Sequence, residues 1–366
     1  MLNIEQWGTV VWNNFEHSFL GCSNLDISAT DIPNLSEVTN LSKMFQFCTK
    51  LNGPKNIGEW DISKITVLSE MFNFASSFNQ PLGNWNTENV VNMSNTFREA
   101  TSFNQPIGNW KTGNVKFFFG LFLGASTFNQ SIGSWNTDSA IEMTFMFKNA
   151  SSFNQPIENW NVKNVKTMYL MFDYATSFNQ PLAKWNIENV VSMNGMFENA
   201  SSFNQSIGNW ALNPTVNMTS ILNNSGMDCA NYTSTLSGWA NNPNTPNGRT
   251  LGATGMKYGT EGQIARQALL EKGWEISGDV FDDSACKTTS LINSHFEVSI
   301  FPNPARNSFK VIGITQGNLE VINSQGMVVR SGEVKEEIEV SGLSSGLYYV
   351  RISNTNENKL MKLMID

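Results

Sequence analysis

Residues 164–185, NVKTMYLMFDYATSFNQPLAKW, are one copy of a text that this chain writes many times. Its last residue, Trp185, is in phase with Trp60, Trp85, Trp110, Trp135, Trp160 and Trp210, each 25 residues from the next. The pair Phe178-Asn179 recurs from Phe78-Asn79 to Phe203-Asn204, and Phe172 recurs from Phe72 to Phe197, with no insertion. A fixed period of this length marks supersecondary units that bury their apolar faces only by stacking on one another. Within the copy, Met168, Met171, Phe172 and Ala175 stand at i, i+3, i+4 and i+7, which predicts a helix of about two turns. Phe178 to Leu182 read as a short strand, and Ala183-Lys184 turn the chain toward Trp185. Pro81, Pro106, Pro156 and Pro181 fall where that strand ends, a place that tolerates a residue without an N–H. The expected class is therefore an α/β repeat solenoid, leucine-rich-repeat-like, with one short strand and one short helix per coil.

Stacked at a strand spacing of about 4.8 Å, the Trp, Val, Met, Phe and Ile positions become continuous internal ladders. That placement makes the tryptophans core residues; a sugar-stacking surface is the alternative use of such a row. The asparagine after each phenylalanine is polar among core residues, so its side chain is expected to bond the backbone of adjacent coils. Weaker copies precede the regular ones: Phe45, Cys48 and Leu51, and before them Phe19, Cys22 and Leu25, repeat the spacing of Phe72, Ala75 and Phe78. Cys22 and Cys48 then face one another as two free thiols or as a disulfide. The opening MLNIEQWGTVVW has neither the basic nor the long apolar region of a signal peptide. The expectation is a natural protein extending further in the N-terminal direction.

At 366 residues the chain exceeds a single compact core, which favours an array with appended domains. A net charge of −8, and a repeat region nearly balanced in charge, supply no basic field for phosphate backbones, so nucleic acid is not an expected partner. No run of about 18 apolar residues is present to span a bilayer as a helix.

After Trp210 the pattern fades, and Gln263 to Lys272 read as an amphipathic cap helix with Ile264, Ala268, Leu269 and Leu270 inward, ended by Gly273. Cys229 and Cys286 flank this cap as a candidate disulfide, with two free thiols as the alternative. Residues 283–294 are polar and patternless. From His295 short alternating segments separated by Gly, Asn and Ser predict a small antiparallel sandwich of about seven strands.

The repeats resemble those of BspA-like, leucine-rich-repeat-related surface proteins, which read V..M..MF..A..FNQ.L..W; the likeness covers roughly residues 1–225. It implies a cell-surface protein that binds through an extended face, often described as adhesion. The C-terminal segment resembles a type IX secretion sorting domain. The marks are Phe301, Pro302, Asn303 and Pro304, then Gly326 to Val329, then Leu343 to Val350 with Gly346, Tyr348 and Val350, and a basic, apolar end from Lys359 to Ile365 that includes Lys362. This implies an immunoglobulin-like all-β domain, handling by the type IX machinery, and export through the periplasm and across the outer membrane of bacteria of the Bacteroidota kind. The expected domains are a repeat solenoid (1–225), its cap (226–282), a linker (283–296) and the sorting domain (297–366).

A catalytic centre is hard to assemble. His17 and His295 are the only histidines and both lie outside the regular repeats. Gly342-Leu343-Ser344-Ser345-Gly346 matches GxSxG, but it precedes a strand instead of joining a strand to a helix, so it reads as a turn. Asp138-Ser139-Ala140 and Asp283-Ser284-Ala285 match short O-glycosylation-like sites. No catalytic, cofactor-binding or metal-binding residue is expected. The expected function is non-enzymatic binding or adhesion, with surface carbohydrate binding as the alternative and an enzyme with an upstream catalytic domain as a third. Glu88, Lys111, Asp138, Lys163 and Glu188, which follow successive tryptophans and change from coil to coil, are the candidate binding surface for an unidentified protein or glycan.

Overall fold

A computed structural model describes residues 2–286, 299–312, 317–325, 327–335, 337–353 and 358–366. Most of the expected linker, His295 and Gly326 lie outside these residues. The chain divides into two units, Met1–Thr288 and Thr289–Asp366.

The repeats of the first unit contain no α-helix. In the copy quoted above, the N–H groups of Met168, Leu170, Phe172 and Tyr174 donate to the following coil, at the carbonyls of Ser192, Asn194, Met196 and Glu198, over 2.9–3.0 Å. Those of Met171, Asp173 and Ala175 turn back three residues instead, to Met168, Leu170 and Phe172. Leu170 and Tyr174 are left-handed, with φ of 50° and 55°. A left-handed residue every fourth place, with alternate N–H groups committed to a neighbour, is incompatible with the i→i−4 bonding of a helix. Successive tight turns nevertheless return the chain to one side, so Met168, Met171, Phe172 and Ala175 are all fully buried.

The expected strand at 178–182 is absent as well. Each coil contributes a single bridging residue to a parallel ladder that runs from Asn40 through Val67, Asn92 and Phe117 to Asn217. Beside Pro181, which has no N–H to give, side chains carry the inter-coil bonding. The Asn179 N–H donates to Asn154 Oδ1 and Asn179 Oδ1 accepts from the Asn204 N–H, both at 2.9 Å, and Gln180 and Gln205 add their amides to the same oxygens. The α/β leucine-rich-repeat-like solenoid followed by an immunoglobulin-like sandwich is therefore overturned. The chain is built of turns, loops and short strands in small sheets, and its described α-helices all come after residue 228.

The core is a set of aromatic stacks. Phe72, Phe97, Phe122, Phe147, Phe172 and Phe197 lie 5.5–5.8 Å apart, centroid to centroid, with planes within 14°. The rings of Trp85, Trp110, Trp135 and Trp160 stack at 6.1–6.3 Å, and from Trp85 to Trp210 each repeat tryptophan donates its Nε1–H to a carbonyl 28 residues earlier, as Trp135 does to Ile107. Stacking is close at Gly83, where a Cβ would lie 2.9 Å from the carbonyl oxygen of Pro106, and the same place holds Glu158 and Ala183 in later coils. At the start of the unit β1 (Leu2–Ile4) pairs in parallel with β2 (Leu25–Ile27).

The cap comprises α1 (Cys229–Asn241), β3 (Thr250–Gly252), β4 (Lys257–Tyr258), α2 (Thr260–Glu271), β5 (Glu275–Ser277), β6 (Val280–Phe281) and α3 (Asp283–Cys286). Asp228 caps α1 by accepting the Asn231 N–H at 2.8 Å. β3 pairs with β5 and β4 with β6, both in parallel, and Leu251 bridges Met218, so the coil ladder continues into the cap. α2 starts three residues before the predicted helix and buries Ala265 and Leu269, four apart, while Ile264 is exposed. Asp279 ties the cap together, accepting from Tyr232 Oη at 2.9 Å and from Arg266 Nε at 2.8 Å. Cys229 and Cys286 are disulfide-bonded.

The second unit holds β7 (Ser299–Phe301), β8 (Ser308–Ile312), β9 (Asn318–Ile322), β10 (Val328–Glu333), β11 (Ile338–Glu339), β12 (Gly346–Ser353) and β13 (Asn358–Ile365). They form a four-stranded sheet, β10-β9-β12-β13, and a three-stranded one, β11-β8-β7. One core, including Phe309, Val321, Val350, Ile352 and Leu363, joins the two.

Candidate functional site: the turn face of the repeats

With Trp, Phe and Met committed to the core, an exposed face must come from the polar turns or from the two left-handed positions of each coil. Glu88, Lys111, Asp138, Lys163 and Glu188 are all exposed. Four of them stand three residues after a tryptophan, but Lys111 stands one after Trp110, so the set is not a single column. Several make bonds between coils: Lys111 pairs with Glu88 at 3.0 Å, and Asn161 Nδ2 donates to Asp138 Oδ1 at 2.7 Å.

A second face, unremarked in the sequence pattern, is formed by the paired turns. Its first left-handed position reads Lys43, Glu70, Asn95, Gly120, Phe145, Leu170, Gly195 and Ser220. The second reads Phe47, Phe74, Glu99, Gly124, Asn149, Tyr174, Asn199 and Asn224. These residues vary in chemistry along the array, whereas core columns such as Phe72, Ala75 and Phe78 recur unchanged in every regular coil. Bulky side chains in this conformation cost about 1–2 kcal/mol each, and such outliers gather where a structure serves a purpose other than stability. Phe47, Phe74, Phe145 and Tyr174 hold it because their N–H groups are fixed by the following coil, as Phe74 is by Arg98 at 2.7 Å.

The face carries two aromatic groups. Phe47 stacks on Phe74 at 5.0 Å with the Arg98 guanidinium 5.5 Å above the Phe74 ring. Further along, Phe145 lies between Phe119 at 5.4 Å and Tyr169 at 5.2 Å, with Lys148 Nζ 5.8 Å from its centroid. Tyr174 and Phe47 are 51% and 43% exposed, whereas Trp60 to Trp210 are all buried, so the tryptophan row is unavailable for stacking on a sugar. Among the described residues no group of three or more His, Cys, Asp or Glu side chains is arranged to hold a metal. Cys22 and Cys48 are free thiols; Cys48 is buried, donates to the Phe19 carbonyl at 3.1 Å, and has its pKa pushed up to about 12, chiefly by burial.

In the second unit the Phe-Pro-Asn-Pro motif is exposed and its asparagine clasps the last strand. Asn303 Nδ2 donates to the Lys362 carbonyl at 2.9 Å, and the Met364 N–H donates to Asn303 Oδ1 at 2.8 Å. Gly346, Tyr348 and Val350 on β12 pair with Ile365, Leu363 and Met361 on β13. Tyr348 Oη donates to the Ser344 carbonyl at 3.0 Å, within the turn that carries the GxSxG match.

This coil geometry goes with a family assignment. Four overlapping matches to the family described as Mycoplasma protein of unknown function, DUF285, cover residues 2–54, 13–132, 39–156 and 120–239, together well over half of the chain. The chain belongs to the DUF285 family. Its repeats are thus DUF285 repeats, and a BspA-like leucine-rich-repeat identity is not what the match supports. Residues 299–366 match the secretion system C-terminal sorting domain, so the DUF285 region is followed by a tail that directs secretion through the type IX system to the cell surface or the extracellular space. No curated protein matches the chain. Among the described residues no helix is long and apolar enough to cross a membrane.

Proposed function

We propose that the DUF285 repeats are a non-enzymatic binding module, carried outside the cell by the sorting domain to attach to a surface partner. The carrying observation is the contrast between core columns such as Phe72, Ala75 and Phe78, which recur unchanged from coil to coil, and a turn face whose left-handed positions range over Lys, Glu, Asn, Gly, Ser, Leu, Phe and Tyr. A stack of similar coils offers many weak contacts along one ligand, and multivalent display then raises the apparent affinity. The second reading, a carbohydrate-binding accessory, draws on the half-exposed rings of Phe47, Phe74, Phe145 and Tyr174, since aromatic faces with nearby amides suit sugar rings. The test is a screen of the immobilised full chain against polysaccharides, matrix proteins and bacterial cells at low and high salt. Reversible capture without product, only mildly salt-dependent because the repeats are nearly neutral, is the expected result. Conversion of a captured ligand, or capture of none, refutes the proposal.

A further inference from the structure

Two neighbouring coils depart from one core column in the same way. Where Ala75, Ala100, Ala125, Ala150, Ala175 and Ala200 recur, the two preceding coils carry Cys22 and Cys48. The ladder sets this pair side by side. Just before it, the Gly21 N–H donates to the Gln46 carbonyl at 2.8 Å, and just after it the Lys50 N–H donates to the Ser23 carbonyl at 3.2 Å. One turn earlier the rings of Phe19 and Phe45 stack at 5.6 Å. The two cysteines also converge on one oxygen: the Phe19 carbonyl accepts the Cys22 N–H and the Cys48 thiol, both at 3.1 Å. Backbones paired at the strand spacing lie about 4.8 Å apart, within the span of about 4.4–6.8 Å between Cα atoms that a disulfide bridges. The Cys48 pKa is pushed up to about 12 by burial and then by the Cys22 sulfur, so each sulfur lies within the other's electrostatic reach.

The chain already holds one disulfide, Cys229–Cys286, in its cap, and its sorting tail directs it to the cell surface or the extracellular space, where disulfides form and persist. We infer that Cys22 and Cys48 are a redox pair, two free thiols that close to a disulfide between adjacent coils when the chain meets a disulfide oxidant outside the reducing cytoplasm. The oxidant is a disulfide R–S–S–R, carried by a thiol–disulfide exchange protein or by oxidised glutathione. Cys22 is half-exposed and reacts first: its thiolate bonds one sulfur of the oxidant and releases R–S⁻, which leaves a mixed disulfide on Cys22. The buried Cys48 then loses its proton and attacks the Cys22 sulfur, and the second R–S⁻ departs. The two thiols give up two electrons and two protons, and the oxidant becomes two molecules of R–SH. Before export the two coils are held by packing and hydrogen bonds alone; after it a covalent link joins them as well.

The test treats the full chain with oxidised glutathione and follows it by intact mass and by peptide mapping without reductant. The expected course is an adduct of one glutathione on Cys22, decaying to a product two hydrogens lighter than the starting protein that yields a linked Cys22–Cys48 peptide. Iodoacetamide, which labels Cys22 in the untreated chain, then labels neither residue, and dithiothreitol restores the labelling of Cys22. Because the second step needs the Cys48 thiolate, decay of the adduct is expected to quicken about tenfold per pH unit below the Cys48 pKa. Cys48→Ala installs the residue that the rest of the column carries, and in it the adduct is expected to persist. Hydrogen exchange across residues 15–51 is expected to slow on oxidation of the parent and not in Cys48→Ala treated alike, which separates the link from oxidation as such. An adduct that stays on Cys22 in the parent, two thiols that the oxidant leaves free, or a linked peptide that joins either residue to Cys229 or Cys286 overturns the pair.

Discussion

Replacing Trp135 by alanine tests the coupled stack directly. Trp135 is 3% exposed and stacks between Trp110 and Trp160, each 6.3 Å away, with Phe118 and Phe122 at 6.2 and 6.3 Å. Truncating such a ring in a core that relaxes only partly costs about 3–5 kcal/mol. The lost Nε1–H bond leaves the Ile107 carbonyl with the Trp110 N–H, at 3.2 Å, as its remaining donor, at about 0.5–1.5 kcal/mol more. Because the two effects share one cavity they do not add fully, and the expected total is about 4–6 kcal/mol. Trp135→Phe keeps most of the stack and loses the N–H, so it is expected to cost about 1–3 kcal/mol. Urea unfolding of the full chain gives the totals, and hydrogen exchange read by mass spectrometry gives their reach. Since each coil is stable only through its neighbours, protection is expected to fall in the coils of Trp110 and Trp160 as well as in the mutated one. A cost under about 2 kcal/mol, or loosening confined to the single coil, refutes the reasoning.

Asn129→Ala removes the acceptor for the Asn154 N–H at 3.0 Å and Gln155 Nε2 at 2.9 Å, and is expected to cost about 1–3 kcal/mol in chemical denaturation, where a neutral outcome denies the asparagine ladder its role. The raised pKa of Cys48 keeps its thiol protonated at pH 8 and burial shields it, so iodoacetamide under native conditions is expected to label Cys22 and spare Cys48; equal labelling by peptide mapping contradicts the buried position. Deleting residues 299–366 is expected to stop secretion while leaving the repeats folded, and fractionation that finds the shortened protein outside the cell contradicts the sorting role. Asn303→Ala breaks both bonds to the last strand and is expected to lower the stability of the second unit by about 1–3 kcal/mol by thermal melting, whereas an unchanged melt refutes the clasp.

Much of this protein was legible as text. The 25-residue period, the burial of every repeat tryptophan, the inward set Met168, Met171, Phe172 and Ala175, and the inter-coil role of the asparagines follow from which residue types recur in phase. The sorting tail was legible from its Phe-Pro-Asn-Pro opening and its closing strand. The conformation of the coil was not. The spacing i, i+3, i+4, i+7 reports which side chains share a side, and a helix and a pair of tight turns satisfy it equally. The choice lies with N–H groups such as that of Leu170, which bonds a carbonyl in the next coil in preference to one four residues back, and such a partner has no local signature. The turn face was hidden for the same reason. Phe47, Phe74 and Arg98 stand apart in sequence as unrelated departures from the repeat, and only the stacking of three coils brings two rings and an unpaired guanidinium onto one surface.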